Sequence, residues 1–191
     1  MGNDQKLVQA KQELRRKMLL KLKTQKEEER TERSRKIRKK LFSLSAFKQA
    51  QVIMFYISCG FEVDTLNMIK EAIKLGKKVA VPRLKDNNRK MAISLVSGVD
   101  SELEIGPYGI KQPKAEYLRP VSIEKIDLIV VPGVAFSSGG KRLGRGKGYY
   151  DRLLETKREK TRTVGLAFKC QIVEDLPQSP HDYPVEQVIS A

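Results

Sequence analysis

Residues 51–84 read QVIMFYISCGFEVDTLNMIKEAIKLGKKVAVPRL, and their pattern decides the fold class. Residues 51–58 have the β-branched and aromatic content of a buried strand. Helical spacing follows: Leu66, Ile69 and Ile73 form one stripe, Asp64 or Thr65 stands at the cap, and Gly76 ends the run. Residues 78–84 return to strand composition. Strand, helix and strand in that order make a βαβ unit, whose crossover leaves the two strands parallel.

Outward from this unit the alternation continues. IDLIVVPGVAF (126–136) is a continuous apolar run but for Asp127, as expected of a central strand buried on both faces. KMAISLV (90–96), RTVGLAF (162–168) and PVEQVIS (184–190) read as further strands. Residues 98–122 hold Gly106, Pro107, Gly109, Pro113 and Pro120 and read largely as loop. Near the N-terminus, Leu7, Leu14, Met18 and Leu22 recur at helical spacing over residues 4–23. TQKE (24–27) then offers a capping box, Thr24 with Glu27, for a second charged helix through about Leu44. The expectation is an α/β fold: a single domain over residues 1–191, built as three α/β/α layers with a mostly parallel sheet. N-terminal helices in residues 1–46 would pack on that core.

A chain of 191 residues with 40% apolar content can bury a sizeable core, which sets it apart from disordered chains. No run approaches the ~20 apolar residues of a membrane span, and MGNDQKLVQAKQELRRK (1–17) has no apolar signal core. Cys59 and Cys170 stand far apart without a CxxC partner. They suit small hydrophobes in a reducing cytoplasm better than a disulfide or a zinc site. The net charge of +15 favours anionic partners, which include nucleic acid, acidic membranes and polyphosphate substrates. Residues 1–40 carry 15 Lys and Arg against 6 Asp and Glu, so solvated helix faces account for part of the excess. Lys11 falls on the apolar stripe between Leu7 and Leu14, with Arg15 one turn later. An unpaired ammonium is costly to bury, so Lys11 either snorkels to water or reaches a bound anion.

KRLGRGKGYYDRLL (141–154) follows the expected central strand and passes into a helix near Tyr149. Ligands of open α/β sheets sit beyond the carboxyl ends of parallel strands, where this segment falls. Gly139, Gly140, Gly144, Gly146 and Gly148 let the backbone approach a ligand and turn its N–H groups toward one anion. A helix N-terminus adds favourable charge, as do Lys141, Arg142, Arg145 and Lys147. Asp151 then stands where a carboxylate can meet Mg2+ on a substrate's phosphates. The segment satisfies neither GxxxxGK[ST] nor a dinucleotide fingerprint. On residue chemistry alone it is a phosphate cradle, a nucleic-acid patch or a structural turn.

The longer run PGVAFSSGGKRLGRGKGYYDRLL (132–154) resembles the signature of the 5-formyltetrahydrofolate cyclo-ligases, also called methenyltetrahydrofolate synthetases. KQELRRK (11–17), FEVDT (61–65), LAFKCQ (166–171) and PHDYPVEQVI (180–189) extend the resemblance over nearly the whole chain, most thinly between about 84 and 125. It implies ATP- and Mg2+-dependent closure of 5-formyltetrahydrofolate, with or without a polyglutamate tail, to 5,10-methenyltetrahydrofolate.

By that resemblance Lys11 and Arg15 contact phosphate. Arg142, Leu143, Gly144, Arg145, Gly146, Lys147, Gly148, Tyr149 and Tyr150 form the nucleotide segment. The stretch Arg145–Tyr149, with Ile57 and Glu62, also meets the folate. Arg145 and Tyr150 are its catalytic candidates, and Asp151 and Asp182 its magnesium-associated acids. A carboxylate at position 62 suits an aminopyrimidine edge, which presents paired donors. The plainer readings are a helix-entry acid for Glu62 and turn residues for Asp182 and His181. Ser137 departs from the family, which usually carries an acid after the Phe of PGxxF. With no interleaved stacking surface, a nucleic-acid partner is the lesser reading, and oligomeric state is not legible in the sequence.

Overall fold

The computed structural model describes residues 2–84 and 91–191. Helices α1 (Gly2–Lys23), α2 (Glu27–Ser43) and α3 (Ser45–Gln49) lead into β1 (Val52–Met54). Then follow α4 (Leu66–Lys74), β2 (Lys78–Leu84), β3 (Met91–Val96), α5 (Val99–Glu102), β4 (Leu103–Ile105) and β5 (Lys111–Pro113). The rest of the chain forms β6 (Leu128–Val131), β7 (Ala135–Phe136), β8 (Arg142–Leu143), α6 (Tyr149–Glu155), β9 (Arg162–Ala167) and β10 (Gln187–Ser190). Among the described residues no helix is long and apolar enough to cross a membrane.

The main sheet has the order β10-β9-β6-β1-β2-β3. Its first four pairings are parallel, and β3 closes the edge antiparallel to β2, with Val81 opposite Ser94. The apolar run 126–136, expected as one strand, divides in two. Leu128–Val131 form the central strand β6, buried throughout. After Pro132, which has no N–H to give a ladder, Ala135–Phe136 enter a separate two-stranded sheet with β8. The strand expected at 51–58 is likewise confined to Val52–Met54. Because alternate strand residues face opposite ways, β6 feeds two cores. Leu128 and Val130 pack with Ile37, Leu41, Ile69 and Leu166 on the face covered by α2 and α4. Ile129 and Val131 pack with Phe136, Leu153 and Leu154 on the face covered by α6. The three layers expected from the βαβ pattern follow directly.

Some local expectations change. Thr24 does not cap α2: its hydroxyl donates to Lys21 O, 3.1 Å away, and Lys26 is the N-cap without a side-chain bond. Thr24 N still bonds Leu20 O in helical register, so its side chain turns back along α1, while Glu27, Glu28 and Glu29 complement the α2 dipole. Of the two candidates before α4, Asp64 supplies the cap, accepting from Leu66 N at 2.9 Å. Thr65 is buried and donates instead to Tyr56 O at 2.7 Å. The segment 98–122, read as loop, contains α5 and an antiparallel β4–β5 hairpin turned at Gly109 (φ 70°). Buried Glu102 anchors it, accepting from Ser97 N at 2.9 Å and pairing with Arg119. The strand expected at 90–96 begins at Met91, and Lys90 lies outside the described residues.

Phe136 settles how the chain leaves β6. Its ring is fully buried, and a Cβ added at Gly133 or Gly165 would come within 2.5 Å of it. Both positions must therefore be glycine for the ring to pack against the exit of β6 and against β9. Gly165→Ala is expected to destabilise the fold by about 1–3 kcal/mol through overpacking. A urea midpoint unchanged from wild type would contradict this, and adding Phe136→Leu should recover part of the loss.

Candidate active site

Three segments converge beyond the carboxyl ends of β1 and β6: residues 56–62, the turn 132–133, and the loop 142–151. Together with β2, β3 and the β4–β5 hairpin they enclose a cavity of about 330 Å³. Of the residues assigned from sequence, Ile57, Glu62, Arg142, Gly144, Arg145, Lys147, Gly148, Tyr149, Tyr150 and Asp151 line it. Its apolar wall includes Pro82, Met91, Pro107 and Ile110, for which sequence reading offered no signal. Apolar residues on an edge strand and a hairpin look like ordinary packing until the fold brings them to one opening.

The loop is fixed by close approach. Gly140 has φ 87°, and a Cβ there would stand 2.1 Å from Val185 O, whose own N–H bonds Gly140 O at 2.9 Å. Gly148, at φ 67°, is the left-handed N-cap of α6. That helix has only 7 residues, so its end adds little dipole, and the loop's own cations dominate the charge. Ser137, at the position the sequence resemblance singled out, closes the β7–β8 turn: its hydroxyl accepts from Lys141 N at 3.1 Å. A short neutral side chain suits that buried position.

Three cation–carboxylate pairs organise the charges. Arg142 is 3% exposed; it pairs with Asp151 Oδ1 at 2.5 Å and donates to Pro132 O at 3.3 Å. Lys11, buried on the α1 stripe, pairs with Asp182 and donates to Ser179 Oγ at 3.1 Å. Arg145 reaches Glu62 Oε1 through Nε (3.0 Å) and Nη2 (2.7 Å), while Cys59 N donates to Glu62 Oε2 at 3.0 Å. Arg145 itself remains exposed, its side chain at 53%, so this pair can exchange partners.

Lys11, Arg15 and Asp182 do not line the cavity; they stand behind the loop. Arg15 donates to Gly144 O at 2.9 Å, and Tyr183 N donates to Asp151 Oδ1 at 3.2 Å, so the two aspartates lie in neighbouring segments. Burial lowers the Arg15 guanidinium from its usual value, against Asp182 and Asp151, which raise it. Burial also works against the Asp182 charge, but hydrogen bonds from Lys11 and Ser179 hold its carboxyl below the ordinary range. Among the described residues, no hydrogen-bond partner reaches the buried Tyr150 Oη. Burial, then the Glu62 charge, push that phenol above its usual value against Arg142, so it stays a proton donor. Leu143 turns its side chain into the small core with Met18 and Val134, and its carbonyl accepts from Val134 N at 2.7 Å.

The family profile described as the 5-formyltetrahydrofolate cyclo-ligase family matches residues 7–191. The chain belongs to this family. A mouse 5-formyltetrahydrofolate cyclo-ligase is 32% identical over 94% of this chain and 93% of its own length. The Escherichia coli K12 enzyme of that name is 33% identical over 74% of this chain and 78% of its own. A solved structure of Aquifex aeolicus 5,10-methenyltetrahydrofolate synthetase superposes with a TM-score of 0.82 at 37% identity, covering 94% of this chain and 89% of that one. As a cyclo-ligase, the chain is an enzyme of the ligase class. The fold described above is thus shared with a solved 5,10-methenyltetrahydrofolate synthetase.

The Asp182 carboxyl, held below its unfolded value, contributes stability that is complete above the ordinary carboxylate range. That stability disappears as pH falls through the lowered value. Asp182→Asn is therefore expected to flatten the acid limb of stability against pH, with the largest loss at neutral pH. Urea midpoints from pH 7 to 3 test this, and parallel curves for the two proteins would refute it.

Proposed function

We propose that this enzyme converts 5-formyltetrahydrofolate to 5,10-methenyltetrahydrofolate, hydrolysing ATP to ADP and phosphate, and that it works in the cytoplasm with both cysteines reduced. The observation that carries the reading is the Glu62–Arg145 pair at the cavity. It joins a largely buried carboxylate suited to a pteridine with an exposed cation of the glycine-rich loop.

The chemistry assigns work to these residues. An N-formyl carbonyl is deactivated by amide resonance, and its oxygen leaves poorly. Transfer of the γ-phosphoryl group to that oxygen expels ADP and gives an iminium phosphate. N10 of the folate then attacks the formyl carbon; loss of its proton and of phosphate closes the ring. Positioning and charge stabilisation are what such a transfer asks of a protein. Glu62 accepts the donors of the aminopyrimidine edge, with Ile57 beside it. Arg145, released from Glu62 by that edge, turns to the phosphate forming on the formyl oxygen. Tyr150, protonated, donates to the same oxygen. Gly144 to Gly148 and Lys147 hold the nucleotide's phosphates, and the pool of cations behind them extends to Arg15 and Lys11. On this reading residues 1–46 belong to the same functional domain as the core.

The donor set suits a nucleotide-bound magnesium. No group of three acidic, His or Cys side chains gathers among the described residues. Mg2+ on phosphates, however, takes only one or two protein carboxylates. Among the described residues the bonds to Asp151 fall on Oδ1 and those to Asp182 on Oδ2, so the other oxygen of each could face the ion. The ion would neutralise charge on the transferred phosphoryl group. The surplus of basic residues also suits a polyglutamate tail on the folate.

Purified protein with ATP, Mg2+ and 5-formyltetrahydrofolate should develop the near-ultraviolet band of the methenyl product; no band under those conditions would falsify the assignment. Glu62→Gln is expected to raise KM for the folate more than tenfold, in keeping with about 1.5–3 kcal/mol for hydrogen bonds to a charged group. KM for ATP should stay within about threefold of wild type, and an equal rise in both would remove Glu62 from the folate site. Asp151→Asn should raise the Mg2+ concentration needed for half-maximal rate, whereas an unchanged requirement would exclude Asp151 as a ligand.

A further inference from the structure

The segment LAFKCQ at the end of β9 has no part in the reading above, yet its last residue is among the most completely bonded side chains near the site. Gln171 is 2% exposed. Its Oε1 accepts from Phe168 N at 2.8 Å, and its Nε2 donates to Gly133 O at 2.9 Å and to Val134 O at 3.2 Å. A primary amide has two N–H donors, and here two successive carbonyls take them. The preceding carbonyl, Pro132 O, accepts from Arg142. Three consecutive carbonyls at the end of β6 are therefore held by two side chains, Arg142 facing the cavity and Gln171 facing the core.

These carbonyls lie where the chain turns from β6 into β7. Val134 N bonds Leu143 O, and β8 carries Arg142 straight into the glycine-rich loop. The peptide planes at 133 and 134 set the direction of this hairpin, and with it the placement of Arg142 against Asp151. We infer that Gln171 is a positioning residue for the phosphate loop, acting through the backbone of Gly133 and Val134. The inference rests on the reading of residues 142–150 as the nucleotide segment.

Gln171→Met keeps the length and removes both donors and the acceptor. In the folded variant, well below its unfolding temperature, affinity for Mg–ATP should fall tenfold or more, with kcat reduced. Affinity for 5-formyltetrahydrofolate without ATP should stay within about threefold, because Ile57 and Glu62, the anchors proposed for its pterin, stand on a segment that Gln171 does not bond. Gln171→Glu should behave like the Met variant at pH 8 and recover ATP affinity toward wild type at pH 6. Burial raises a carboxyl's pKa, and the protonated acid donates once where the carboxylate cannot donate. A fall in unfolding temperature with unchanged ATP affinity, or an equal loss for both ligands, would overturn the proposal by making Gln171 a general structural residue. If Gln171→Met does not fold, Gln171→Asn, which keeps the amide one methylene short, carries the same comparison. A wild-type protein that binds ATP but forms no methenyl product would sink the proposed reaction while leaving this test intact; one that binds no ATP would sink both.

Discussion

The buried ring of Phe136 is the constraint on which the rest of the site depends. It lies against two positions, Gly133 on the way out of β6 and Gly165 on β9, where any side chain would collide with it. The ring fills the space where two parallel strands meet the crossing hairpin, and it leaves the backbone after β6 one direction to take. Val173 N bonding Phe136 O, and Val134 N bonding Leu143 O, carry that direction into the neighbouring segments. The glycine-rich loop is thus flexible in composition but starts from a rigid base. That combination lets a ligand approach the loop's backbone closely without displacing it.

On this base the protein sets three ion pairs: Arg142–Asp151 within the loop itself, and Lys11–Asp182 and Arg145–Glu62, which join segments far apart in the chain. Their burial differs, and so does what they can do. Arg142 is enclosed and shapes the floor of the cavity. Lys11 is enclosed as well, and its partner removes the penalty of an ammonium on an apolar helix stripe. Arg145 is largely exposed, where an ion pair is worth little, so a ligand can replace its partner at small cost. The pairs are thus graded: two cations are neutralised where they are buried, and one is exposed and able to exchange its partner.

Legibility followed the range of the interactions involved. Strand and helix types were readable in residues 51–84 and 126–136 because burial imposes a period on the residues themselves. The cap at α2 was misread because Thr24 has two competing local partners, and α1's own carbonyl took its hydroxyl. The β4–β5 hairpin was hidden because glycine and proline mark a turn equally in loops and hairpins. Its anchor, Glu102 with Arg119, is a tertiary contact with no sequence pattern. Lys11 was legible as an anomaly, since it broke a clean apolar stripe, but its partner Asp182 is 171 residues away.

By itself, then, the sequence determined the α/β class, the position of the central strand and the chemical character of the loop. Those properties rest on periodicity, local conformational preference and residue chemistry, which a linear pattern records. Tertiary structure alone decided that Glu62 faces Arg145, that an edge strand and a hairpin wall the cavity, and that Gln171 holds the carbonyls behind the loop. Each of these joins residues brought together only when the sheet closes, and hydrogen bonds of that kind are set by distance and angle in the folded chain.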